Sequence, residues 1–218
     1  MNNEEPKHNV FNLIILDESG SMESIKSATI SGFNEVVQTV KGVEKQYTEQ
    51  EHFISLVTFN GLGVKTLLWN EPVAKLELID GEKYQPNSLT PLFDAMGFSI
   101  TRLRHELAGR ENVNVLVTIL TDGQENNSRE YNGAAIKKLV DELSLQNWTF
   151  TYIGANHDVT GFAMSISIEN TMTFQANEAD MKQMFARENK ARMQYSKNIR
   201  EKKEFKKGFY KDDDEVQI

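Results

Sequence analysis

The chain contains no cysteine. No disulfide can therefore form, neither a thiol nucleophile nor a zinc-thiolate centre is available, and the composition suits a reducing compartment. No segment reaches the roughly 18 consecutive apolar residues of a membrane span. The first seven residues are polar and carry no apolar core of the signal-peptide kind. From these absences we expect a cytoplasmic protein. Internal repeats and low-complexity blocks are also missing, and no strand-to-helix turn carries the Gly-x-Ser-x-Gly elbow of a serine hydrolase.

What is present reads as an ordinary globular domain. Hydrophobic residues make up 39% of the chain and charged residues 26%, which excludes wholesale disorder. A length of 218 residues fits one domain with a tail. The net charge of −8 is unevenly spread. Residues 1–181 hold 13 Lys and Arg against 25 Asp and Glu, a net of −12, whereas residues 182–218 hold 11 against 7, a net of +4. An acidic body repels nucleic acid and anionic membrane, so neither is expected as its partner.

Apolar runs alternate with helical patterns, the signature of an α/β fold with a mostly parallel sheet. Residues 10–16 form the first expected strand. A helix after Ser24 places Ile25, Thr29, Phe33, Val36, Val37 and Val40 on one face and is expected to stop near Gly42. The runs 53–59 and 64–69 are joined by Asn60-Gly61-Leu62-Gly63, a loop so short that the two strands must be antiparallel neighbours at an edge. Residues 71–89 read as loop with a short extended piece at 74–79. A helix follows, with Thr90 as its cap, Pro91 at its first position, and Leu92, Met96, Ile100, Leu103 and Leu107 along one face. Residues 113–120 form a strand ended by Thr121-Asp122-Gly123; Ile136, Leu139, Val140 and Leu143 mark another helix, and 148–153 another strand. A short helix at 158–165 and a last strand at 170–174 complete the pattern. From Asn177 the chain is helical to 196, with Met181, Met184 and Phe185 as docking residues, and from 197 it is charged enough to be solvated and disordered, like residues 1–7 at the other end.

Ligands of parallel α/β sheets bind at the carboxyl ends of the strands. Three polar groups fall there: Asp17, Ser19 and Ser21 in Asp17-Glu18-Ser19-Gly20-Ser21, then Thr90, then Asp122. Taken singly, each is explained by a capping or turn role. Jointly they offer two carboxylates and three hydroxyls from three loops, a donor set suited to Mg²⁺, which takes six oxygens and is held by one or two carboxylates. One position stays free for an outside carboxylate. Glu18, beside these residues, reads as a solvated side chain, and His157 with Asp158 as loop structure near the same rim.

These motifs resemble the metal-ion-dependent adhesion site of the von Willebrand factor A domain family: Asp17-x-Ser19-x-Ser21, Thr90 within Ser88-Leu89-Thr90-Pro91-Leu92, and Asp122 within Thr121-Asp122-Gly123. The resemblance covers residues 8–176 and implies a doubly wound, Rossmann-like α/β fold, with a mostly parallel six-stranded sheet, one antiparallel edge strand and helices on both faces. It implies Mg²⁺, with Mn²⁺ or Ca²⁺ as substitutes, held by Asp17, Ser19, Ser21, Thr90 and Asp122. It also implies a non-enzymatic interaction module that captures an exposed Asp or Glu of a partner protein. Without cysteine or a leader, the chain looks like the intracellular prokaryotic and phage-like branch. A haloacid-dehalogenase-like phosphoryl transferase is the rival reading, but it needs a second acid two residues after Asp17, where this chain has Ser19. A third reading makes the basic tail a tether to nucleic acid or an anionic surface.

Overall fold

A computed structural model of the chain describes residues 6–203 and 207–211. Six strands form one sheet: β1 (His8–Asp17), β2 (Gln50–Asn60), β3 (Gly63–Pro72), β4 (Val113–Thr121), β5 (Trp148–Gly154) and β6 (Asn170–Thr173). Their order is β3-β2-β1-β4-β5-β6. All neighbours are parallel except β2 and β3, so the antiparallel strand lies at an edge as expected. β1 is central and apolar on both faces because helices cover both. Ile14 and Leu16 pack with Phe33, Val36 and Val37 of α1 (Lys26–Gln46) and with Met184 and Phe185 of α5 (Glu178–Glu201). Leu13 and Ile15 face the other way, toward α2 (Leu92–Glu106), α3 (Gly133–Ser144) and α4 (Val159–Ser165).

Several boundaries differ from the sequence reading. α1 begins only after a 3₁₀ turn, Gly20–Ile25, and runs through Gly42 to Gln46. Burial of Val43 and Tyr47 beyond the glycine outweighs its helix cost of about 1 kcal/mol. In residues 71–89 the expected extended piece is replaced by a 3₁₀ turn at Val73–Lys75, and Val73, Leu76, Ile79 and Tyr84 are buried. Asn34 pins this loop by accepting from the Ile79 amide and donating to its carbonyl, each at 2.9 Å.

Thr90 does not cap α2. Pro91 occupies the cap position and no side chain caps the helix. The free amides of the first turn go to the loop between β4 and α3 instead: Glu125 accepts from Phe93 N and Ser128 Oγ from Asp94 N. Asp94 in return accepts the amides of Arg129, Glu130 and Tyr131.

α5 continues past residue 196 to Glu201, and its inner face is polar in the middle. Arg192 and Glu188, 2% and 1% exposed, form an ion pair whose remaining donors reach Asn12 of β1 and Thr118 of β4. A charge that deep is tolerated only when paired and hydrogen-bonded, and here every partner is supplied. Residues 207–211 pack on the same region. The Phe209 amide donates to Asn170, and the Tyr210 hydroxyl donates to Glu188. The acidic run at 212–215 and residues 1–5 lie outside the described residues.

Two tests follow from this packing. A Cβ on Gly32 would lie 2.0 Å from the Phe185 ring where α1 meets α5, whereas one on Gly42 meets nothing within 4 Å. Gly32→Ala is expected to lower stability by about 1–3 kcal/mol and Gly42→Ala to raise it by about 0.5–1 kcal/mol, read from urea unfolding midpoints. Burial, aided by the nearby positive charges of Arg192 and His8, pushes His52 down to about 4. A base depressed in the fold contributes stability above its unfolded value of 6.5 and loses it as pH falls toward 4. Between pH 7 and 4.5 the wild type should therefore lose about 2 kcal/mol more than His52→Gln.

Candidate functional site

Parallel strands bring their carboxyl ends to one edge of the sheet. β1 and β4 are adjacent, with Leu16 opposite Leu120, so the residues following them meet there. Asp17 is 0% exposed. Its carboxylate accepts from the Ser19 amide at 2.7 Å and from the Thr121 hydroxyl at 2.5 Å. Ser21 donates to the Asp122 carboxylate at 2.6 Å, and the hydroxyl oxygens of Ser19 and Ser21 are 3.2 Å apart. Thr90 enters from the third loop. Its amide donates to Asn126 Oδ1 and its carbonyl accepts from Asn126 N, a reciprocal pair that fixes it against the β4–α3 loop. Its hydroxyl lies 3.6 Å from where a Cβ of Gly123 would sit. The structure thus brings all five residues to one rim, with Ser21 exposed and Asp17, Ser19, Thr90 and Asp122 buried.

The electrostatics of this rim are unbalanced. Asp17, Glu18 and Asp122 are at most 3% exposed, and none forms an ion pair with Lys or Arg among the described residues. Burial pushes Asp17 up to about 6 against the pull of its bonds to Thr121 and Ser19, and the Asp122 charge adds to the rise. Burial also raises Asp122, opposed by the Ser21 hydrogen bond and by His157. The Tyr84 hydroxyl, buried among all three acids, is raised by burial and then by their charges.

The oxygen donors are those a hard cation prefers, two carboxylates and three hydroxyls. Among the described residues no group of three or more His, Cys, Asp or Glu forms a metal cluster. A site here would depend on hydroxyls to complete its shell.

Three residues escaped the sequence reading. Glu18 is not solvated: its carboxylate accepts from the Thr58 hydroxyl at 2.7 Å and from the Gln85 amide at 2.6 Å. Tyr84 donates its hydroxyl to the Asp17 carbonyl at 2.6 Å. Thr121, read only as the end of a strand, donates to Asp17. Periodicity carries no signal for a side chain beyond the last strand residue, nor for partners forty or more positions away. His157 and Asp158 are structural. His157 donates through Nδ1 to the Ala155 carbonyl and is hydrogen-bonded through Nε2 to the Tyr152 hydroxyl, while Asp158 caps α4 by accepting from the Gly161 amide. Neighbouring Asn156 donates to the Asp122 carbonyl and so ties this loop to the rim.

Residues 13–187 match the von Willebrand factor type A domain. No curated protein matches the chain. Solved structures of similar fold include a von Willebrand factor type A protein from Catenulispora acidiphila, at 16% identity and a TM-score of 0.57, covering 86% of this chain and 43% of that one. Proximal thread matrix protein 1 from the mussel byssus is 15% identical with a TM-score of 0.59, over 86% of this chain and 47% of that one. The SpRpn10 VWA domain is 11% identical with a TM-score of 0.52, over 82% and 94%. At these identities the likeness is one of fold. The chain spans less than half the length of the first two.

Because the Asp17 charge is buried without a counter-cation, removing it should relieve the metal-free protein. In EDTA at neutral pH, Asp17→Asn is expected to be more stable than wild type by on the order of 2 kcal/mol, measured by urea unfolding.

Proposed function

The chain belongs to the von Willebrand factor type A domain family, and from that premise we propose that it is a Mg²⁺-dependent protein-interaction module with a complete metal-ion-dependent adhesion site. Domains of this family are generally protein-interaction modules. The observation that carries the metal reading is the pair of buried carboxylates, Asp17 and Asp122, both bonded to the Ser19–Ser21 turn, with no Lys or Arg paired to them among the described residues. A buried charge of this kind needs a partner of opposite sign. Asp17, Ser19, Ser21, Thr90 and Asp122 would hold the ion, with Mn²⁺ or Ca²⁺ as substitutes.

Mg²⁺ held there would supply a positive charge that attracts an outside oxygen. Asp17 and Asp122 would offset only part of that charge and the three hydroxyls none of it, which would suit the site to an anionic ligand such as an exposed Asp or Glu of a partner protein. The chain's own residues set the approach. Ser21 lies at the exposed side of the site, while Asp17, Thr121 and Tyr84 close its floor. No acid occupies position 19 to carry a proton, so the rim binds rather than turns over a substrate. The absence of cysteine suits a reducing compartment, where we place this activity.

Mg²⁺ at about 100 times its Kd should add about 2.7 kcal/mol of stability, a rise of roughly 5–10 °C in melting temperature for a domain of this size. Asp17→Ala and Thr90→Ala should shrink or abolish that rise. A wild-type melting curve identical in Mg²⁺ and in EDTA would overturn the metal reading.

A further inference from the structure

We propose that Glu18 is a positioning residue of this rim, its buried carboxylate clamping the loop at residues 84–90 across the end of β1 so that Thr90 is delivered beside Asp122. The inference rests on the metal reading only for what Thr90 does once in place.

Glu18 follows the last residue of β1, and its backbone joins the neighbouring strand through the Glu18 amide to the Phe59 carbonyl at 2.8 Å. With the backbone held there, the side chain is enclosed at 3% exposure between two elements. One oxygen takes the Thr58 hydroxyl of β2, itself fully buried, and the other takes the Gln85 amide. The Glu18 carbonyl accepts from the Asn87 amide at 2.8 Å, the Gly20 amide donates to the Ser88 carbonyl at 3.0 Å, and Tyr84 donates to the Asp17 carbonyl. Residues 84, 85, 87 and 88 are thus stitched one after another to residues 17, 18 and 20.

Beyond these bonds the loop is held at its end by the reciprocal pair of Thr90 with Asn126. Gln85, Asn87, Ser88 and Leu89 are exposed, and Tyr84 is the buried apolar anchor of the segment before Thr90. The space above it is filled by the β2–β3 turn, where a Cβ on Gly61 would lie 2.3 Å from Ser88 Oγ. The loop is therefore threaded between two turns, and among the described residues the Glu18 carboxylate is the one side chain of the β1 end that grips its backbone. Thr90 follows two residues after Ser88. Removing the clamp frees the approach to Thr90 without touching any of the five oxygen donors.

The clamp is separable from a simple charge effect. A glutamine at position 18 keeps an oxygen for the Gln85 amide, and its NH₂ can donate to the Thr58 hydroxyl, so the hydrogen bonds survive while the charge is lost. In the full chain, Mn²⁺ binding followed by electron paramagnetic resonance and amide hydrogen exchange across residues 84–90 are measured for wild type, Glu18→Gln, Glu18→Ala and, as a milder variant that keeps every acid, Thr58→Val. We expect Glu18→Ala to weaken Mn²⁺ binding roughly tenfold or more and to speed exchange at Gln85 and Asn87, with Thr58→Val acting in the same direction and Glu18→Gln restoring both readouts to near wild type. If Glu18→Ala and Thr58→Val bind Mn²⁺ as tightly as wild type, or if Glu18→Gln is as weak as Glu18→Ala, the clamp is wrong. Should the wild type itself bind no Mn²⁺, the metal reading fails, and the clamp then stands or falls on exchange alone: unchanged protection at Gln85 and Asn87 in Glu18→Ala overturns it.

Discussion

Negative charge buried without a counter-charge is the constraint around which this molecule is arranged. Asp17 ends the central strand of the sheet and Asp122 follows its neighbour, so the parallel pairing of β1 with β4 forces two acids to one edge. The protein treats another buried acid differently. On the α1/α5 face it buries one acid, Glu188, and meets it directly with Arg192. At the rim it supplies hydroxyls and amides instead: Thr121 and Ser19 to Asp17, Ser21 to Asp122, Thr58 and Gln85 to Glu18. These donors soften the burial of charge but do not neutralise it, and Asp17 stays raised to about 6 in spite of them.

The loops around the rim are held by the same kind of bond. Asp94 and Glu125 gather the β4–α3 loop onto the start of α2, Asn126 joins that loop to Thr90, and Asn156 joins the next loop to Asp122. Polar side chains in receipt of several backbone amides thus replace helix caps and turns that the local sequence alone would not hold. The result is a rim whose donors are fixed before any ligand arrives, which lowers the ordering cost of binding.

Much of this was legible in the sequence, for physical reasons that can be named. The alternation of apolar runs with helical stripes defined the six strands, and the Asn60–Gly63 turn defined the antiparallel edge. The convergence of Asp17, Ser19, Ser21 and Asp122 followed from their places after β1 and β4, because a parallel sheet sends such turns to one end, whereas Thr90 is carried there by the long loop that follows the antiparallel strand β3. What remained hidden depends on contacts distant in sequence. Glu18 looked solvated because nothing local says that Gln85 and Thr58 will enclose it. Thr90 looked like a cap because its partner, Asn126, lies in another loop. Glu188 and Arg192 carried no signal in the sequence, because only Asn12 and Thr118, on β1 and β4, turn that stretch of helix inward. Gly42 looked like a stop because its helix cost is visible in the sequence, while the burial of Val43 and Tyr47 that outweighs it is not.

The most direct measurement is anomalous scattering from crystals of the protein grown with Mn²⁺. The account predicts one strong peak enclosed by the hydroxyl oxygens of Ser19, Ser21 and Thr90 and the carboxylates of Asp17 and Asp122, and no such peak in Asp17→Ala crystals. A peak at another place, or none in wild-type crystals, would contradict it.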